Sequence, residues 1–120
     1  MTVVSKNNTP LGEGGNHYVW GDKCEGWILA DTESLSVKQE LMPPLTAEIL
    51  HYHEKAQQFF FILKGIATFE VEEQGFTVTA GQGLHIKAGN KHRIINNSGE
   101  DLEFLLSSQP STNNDRFNCI

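Results

Sequence analysis

Apolar and β-branched residues recur along this chain in short runs, separated by turn formers. The runs are Trp27–Ala30, Leu35–Leu41, Phe59–Leu63, Ile66–Val71, Phe76–Ala80, Leu84–Lys87, Arg93–Asn96 and Leu102–Leu106. The breaks fall at Pro43-Pro44, Gly65, Gln74-Gly75, Gly81-Gln82-Gly83, Ala88-Gly89-Asn90 and Asn97-Ser98-Gly99. Many short strands with frequent turns, and no helical period between them, predict an all-β sandwich or barrel. Glu70 to Val78 reads as a hairpin closed by a turn containing Gly75. The unbroken apolar run Phe59–Leu63 suits a strand buried on both faces.

Ala47–Gln58 is the ambiguous stretch, because it is rich in good helix formers. The aromatic run that follows it, stopping at Gly65, favours a strand. The chemistry of His51 and His53 also favours one. On a strand, residues two apart share a face, so two imidazoles can converge on one ion. On a helix they stand about 200° apart and cannot. A helix would instead pair His53 with Gln57, a weaker donor set.

Length and charge then narrow the function classes. The chain has 120 residues, enough for one ordinary domain. Residues 5–16 and 108–116 are polar and rich in turn formers, and read as arms outside a core spanning about 35–107. The net charge is −6, and no basic window offers a nucleic-acid or anionic-membrane surface. No apolar run approaches the roughly 20 residues of a membrane span, and the first 15 residues lack the apolar stretch of a signal peptide. Cys24 and Cys119 form no metal or redox motif. They read as two free thiols of a cytoplasmic protein in preference to a single end-to-end disulfide.

An H-x-H pair alone does not require a metal, since inward imidazoles are also satisfied by hydrogen bonds. Here more follows. Gln58 lies five residues after His53 and Gly65 seven further on, and Gly81-x5-Lys87-x-Gly89-x2-His92-x3-Asn96 comes downstream. These spacings resemble the two-part motif of the cupins, H-x-H-x4-E-x6-G and G-x5-P-x-G-x2-H-x3-N. The resemblance covers about residues 35–107. It implies a jelly-roll β-barrel (a double-stranded β-helix) with one divalent transition ion at the barrel mouth. His51, His53 and His92 would hold that ion, with the family's glutamate position falling on Gln58. Zinc, iron, nickel, manganese and copper all suit an imidazole-rich site. Metal binding needs neutral imidazoles, so loss is expected as pH falls through roughly 6.5.

Three positions depart from the motif: Leu45 for its opening glycine, Lys87 for its proline, and Gln58 for its glutamate. The first two touch turns. The third touches chemistry, because an amide offers one neutral oxygen where a carboxylate offers charge. An ion there keeps its full charge and attracts an anionic ligand, and Gln58 cannot act as a general base. Gln58 either coordinates or only hydrogen-bonds beside three histidines; a turn one residue shorter would put Gln57 there instead.

The resemblance implies a metal-dependent enzyme (dioxygenase, isomerase or lyase) acting on a small anionic or carbonyl-bearing molecule, or a non-catalytic binder of a sugar-like molecule. It also implies a homodimer, to which Val3-Val4 could add a strand. The remaining candidates divide as follows. His17 and His85 read as exposed and Asn96 as turn chemistry. Trp20, Trp27, Phe60 and Phe104 read as core or pocket wall, and Asp115-Arg116 as a loose tail in preference to a segment folded over the barrel mouth. Glu40 is a possible replacement acid, but period-two counting sets it opposite Val37, Gln39 and Leu41 and favours Gln39 as the pocket residue.

Overall fold

The computed structural model describes residues 3–6 and 16–119. Of the N-terminal arm expected at 5–16, residues 7–15 lie outside the described residues. The described residues contain no helix. They form β1 (His17–Trp20), β2 (Cys24–Asp31), β3 (Ser36–Met42), β4 (Thr46–Ala47), β5 (His51–Tyr52) and β6 (Gln57–Lys64), followed by β7 (Ile66–Val71), β8 (Gln74–Thr79), β9 (Gly83–Ile86), β10 (His92–Asn96), β11 (Leu102–Gln109) and β12 (Phe117–Asn118). One antiparallel sheet has the order β1-β2-β3-β11-β6-β9; the other has the order β12-β5-β10-β7-β8, with β4 also on β10. Chain neighbours are spread across both sheets, as in a jelly roll.

The core lies between the sheets and is built from alternate strand positions. Phe60 is its hub, with ring centroids 5.0 Å from Phe69 and 5.6 Å from Phe104. Met42, Ile62 and Ile94 fill in around them. Burying each such side chain contributes about 1.5–3 kcal/mol. At Gly65 the chain turns between β6 and β7 with φ +90°, and an added Cβ would meet the Asp101 carbonyl oxygen. A side chain is excluded there on both counts.

Four expectations change. β6 is buried on one face only: Phe59 and Leu63 are 44% and 41% exposed on the outer face. An apolar run alone cannot show that nothing covers the sheet from outside. The hairpin turn is Glu72-Glu73, not the Gly75 region; both residues have positive φ, and Gly75 pairs with Glu70 inside the ladder. A two-residue turn of this hand matches sheet twist, and hydrogen bonds to Lys91 at Glu72 N and Glu72 Oε1 hold it. On β3 the polar positions point inward. Glu40 is buried while Gln39 is half-buried on the other face, so Glu40 is the pocket residue. Apolar parity misleads here because this end of the barrel interior is polar. Finally, 108–116 is not a loose arm: Ser108 and Asp115 are buried.

Candidate metal centre

The sheet ladder assembles the site. His51 on β5 pairs directly with His92 on β10, so both side chains rise from one face at cross-strand distance. His53 follows two residues later on that face. Ring centroids are 4.4 Å apart for His51–His92, 4.9 Å for His51–His53 and 5.5 Å for His53–His92. One ligand atom from each lies within 4.8 Å of the others, and the three residues are buried. Together they could hold a metal ion.

The backbone fixes which nitrogens face inward. His51 Nδ1 lies 2.7 Å from the Ile49 carbonyl, His53 Nδ1 2.5 Å from that of Asp115, and His92 Nδ1 2.8 Å from that of Asn90. A carbonyl only accepts, so each Nδ1 carries the proton and each Nε2 is left with its lone pair. Locking the tautomer in this way orients metal-ligating histidines. The His53 Nε2 is buried with no hydrogen-bond partner, which is the state a ligand atom leaves when its ion is subtracted. The donor set therefore fits a divalent transition ion.

Burial pushes His51 down to about 3 and His92 down to about 4, from an ordinary 6.5, and lowers His53. The imidazoles thus stay neutral well below pH 6.5, the form that metal binding requires.

Gln58 is buried beside the cluster. Its Oε1 lies 3.0 Å from His92 Nε2, and its Nε2 lies 3.0 Å from Ser108 Oγ. Gln57 points outward to Gln109 and His85, which excludes it from the cluster. His85 is exposed and stands apart from the three histidines; His17 is exposed beside Trp27 and Glu25. Asn96 is wholly buried and ties Met42, Pro43 and Glu100 through their carbonyls. Of the aromatic candidates, Trp20 lines the pocket, Phe60 and Phe104 are core, and Trp27 is buried with Lys6 Nζ over its ring.

A cavity of about 230 Å³ opens beside His51 and His53, lined also by Tyr18, Lys38, Glu40, Glu48, Leu106 and Arg116. Tyr18 crosses Gly26, where any Cβ would occupy its ring, and donates its hydroxyl hydrogen to Glu40 Oε2. Burial raises both groups, the Glu40 carboxyl and the Tyr18 phenol. Burial also raises Glu48 to about 8, against the opposing pull of Arg116, whose guanidinium lies 3.6 Å away. Sequence reasoning missed Tyr18, Lys38 and Glu48, which belong to no motif. An inward parity on β3 anchored to Met42 instead of Leu41 would have found Glu40 and Lys38.

A family model for the cupin domain matches residues 38–108. The chain belongs to the cupin domain family, and its jelly-roll fold carries a three-histidine cluster able to hold a metal. It is 33% identical over 64 residues to an oxalate-binding protein of Thermotoga maritima, a match covering 53% of each chain. Over 56 residues it is 39% identical to an uncharacterised HTH-type transcriptional regulator of Bacillus subtilis, covering 47% of this chain and 19% of that protein. The chain thus spans about a fifth to three-fifths of the length of the curated relatives it matches. A solved structure described as a predicted oxalate decarboxylase, also from T. maritima, superposes with TM-score 0.69 at 25% identity, covering 73% of this chain and 81% of that one. Among the described residues no helix is long and apolar enough to cross a membrane.

Proposed function

We propose that this cupin is a metal-dependent enzyme of the dioxygenase, isomerase or lyase kind, acting on a small anionic or carbonyl-bearing molecule held at the barrel mouth. Its ligands are the Nε2 atoms of His51, His53 and His92 with the Gln58 amide oxygen, around one ion of zinc, iron, nickel, manganese or copper. The reading is carried by one observation: three Nδ1–H groups anchored on carbonyls leave three Nε2 lone pairs free in a buried cluster whose ligand atoms lie within 4.8 Å of one another. When bound, the ion would supply Lewis-acid polarisation of a ligand oxygen.

The other pocket residues fit such a substrate. The side chains of Lys38 and Arg116 bring two cations to a pocket where burial raises the Glu40 and Glu48 carboxyls, so an ion held by neutral ligands adds to an excess of positive charge that favours an anion. Glu40 serves as the proton-transfer group that Gln58 cannot be, held in place by Tyr18. Trp20 and Leu106 supply the apolar wall.

A second reading, a non-catalytic binder of a small molecule, is favoured by Gln58 in place of a carboxylate and by the relative named for binding oxalate. In either case the free thiols Cys24 and Cys119 support a cytoplasmic location. The exposed Phe59 and Leu63 and the 91% exposed Val3 support a homodimer.

Turnover of a panel of small keto acids, diketones and sugar phosphates by protein reloaded with each metal separates the two. The enzyme reading predicts turnover that Glu40→Gln abolishes. Ligand binding to the loaded protein with no turnover across the panel supports the binder.

A further inference from the structure

Two of the three histidines are oriented by their own strands, and one is not. The carbonyls anchoring His51 and His92 lie two residues upstream, at Ile49 and Asn90. The carbonyl anchoring His53 comes from Asp115, 62 residues away. Asp115 is itself only 6% exposed, and its carboxylate accepts hydrogen bonds from the backbone N–H of Glu54 (2.8 Å), Lys55 (3.0 Å) and Ala56 (3.0 Å). Those residues form the turn that follows His53.

The same C-terminal segment is fastened at two further points. β12 pairs with β5, setting Asn118 against His51 and Phe117 against Tyr52. The Tyr52 and Phe117 rings stack at 5.2 Å, and the Cys119 N–H donates to the Leu50 carbonyl at 2.8 Å. Between these fastenings Arg116 reaches the pocket beside Glu48.

From this asymmetry we infer that residues 112–119 are a strap whose docking and the metal loading of the three-histidine cluster form one linked equilibrium, with Asp115 the positioning residue for His53. The inference rests on the metal reading above. When the strap is down, the Asp115 carbonyl holds the His53 proton on Nδ1 and aims Nε2 inward. When it lifts, His53 loses its long-range anchor, and three N–H donors of the loop after it lose their carboxylate acceptor at once. Two locally anchored imidazoles then remain, and the third donor is free to rotate. Arg116 leaves the pocket with the same movement. One segment therefore serves both the metal side and the ligand side of the site.

Linkage makes this quantitative. If docking tightens metal binding by some factor, metal binding tightens docking by the same factor. Zinc alone is a sufficient probe, with the 120-residue chain. Zinc affinity, measured by chelator competition, should fall about 10- to 100-fold in Asp115→Ala, the range for groups that orient ligating histidines. In the wild type, zinc should slow backbone hydrogen exchange at Glu54, Lys55 and Ala56 by a comparable factor. The ¹⁵N imidazole shifts of His53 should report protonated Nδ1 in the wild type and a tautomer mixture in Asp115→Ala, while His51 and His92 keep theirs. A merely structural role for Asp115 would leave that contrast unmoved. Equal zinc affinity in wild type and variant, or exchange at the three amides that ignores zinc, overturns the inference. The exchange test needs only the wild type, so it stands even if the variant does not fold. Wild type that takes up no zinc would overturn the metal reading itself, a different failure.

Discussion

Gln58 Oε1 and His92 Nε2 face each other at 3.0 Å, although both are acceptors while His92 holds its proton on Nδ1 against Asn90. Burial keeps His92 neutral, so it has one proton for two flanking oxygens. The conflict resolves in two ways. A cation between them satisfies both lone pairs. Alternatively, the amide rotates by 180°, so that its NH₂ donates to His92 and its oxygen accepts from Ser108.

Gln58→Glu separates these states. A carboxylate cannot donate to His92, so the metal-free variant should draw a second proton onto that imidazole and raise its pKa. With metal present the added charge should tighten binding, by tenfold for each ~1.4 kcal/mol gained. NMR titration of His92 and zinc competition check both. A variant with unchanged His92 titration and weaker zinc binding would place residue 58 outside the cluster's electrostatics.

Stability should depend on pH in two opposing windows. The histidines stay neutral when folded, so the unfolded chain binds protons that the native state refuses. Their contribution is complete above about 6.5 and is lost as pH falls toward the folded values of about 4 for His92 and 3 for His51. Glu48 runs the other way: raised from 4.5 to about 8, it holds a proton that the unfolded chain has released, and this contribution is lost as pH rises from 4.5 to 8. Between 4.5 and 6.5 the histidines outweigh the single Glu48 carboxyl, so chelator-treated protein should melt highest near pH 6.5 and decline on either side. Glu48→Gln should flatten the alkaline decline. A melting temperature that rises steadily from pH 6.5 to 8 would contradict the assignment.

Gly26 lets the Tyr18 ring cross the sheet to Glu40. Gly26→Ala should displace that ring and destabilise the protein by about 1–3 kcal/mol. In a Tyr18→Ala background the same substitution should cost much less, because the obstruction is gone. Chemical denaturation of the four proteins measures the coupling, and simple additivity would show that the ring does not lie on Gly26.

Leu45 stands at φ 61°, a left-handed conformation, with its side chain 79% exposed. The cupin motif carries glycine at this turn, and here an L side chain bears strain without gaining burial. Leu45→Gly should stabilise the fold by up to about 1 kcal/mol. A loss of stability would mean that the leucine packs in solution.

How much of this was legible in the sequence depended on local signals. Strand runs and glycine breaks marked β6, β7, β9 and β10, and the fixed spacing of His51, His53, Gln58 and His92 marked residues that the ladder brings together. Glu40 was misread because its strand points polar groups inward. Glu72-Glu73 carries no glycine to announce a left-handed turn, which the hydrogen bonds to Lys91 stabilise from outside the hairpin. The docking of Asp115 depends on backbone amides some 60 residues away, and hydrogen bonds to backbone leave no trace in side-chain pattern.

The central claim is that three imidazoles hold one ion, and metal counting after reconstitution tests it most directly. Wild type and His85→Ala should each retain about one equivalent of zinc through gel filtration, while His51→Ala, His53→Ala and His92→Ala should each lose it. Equal metal in all five proteins, or none in the wild type, would contradict the account.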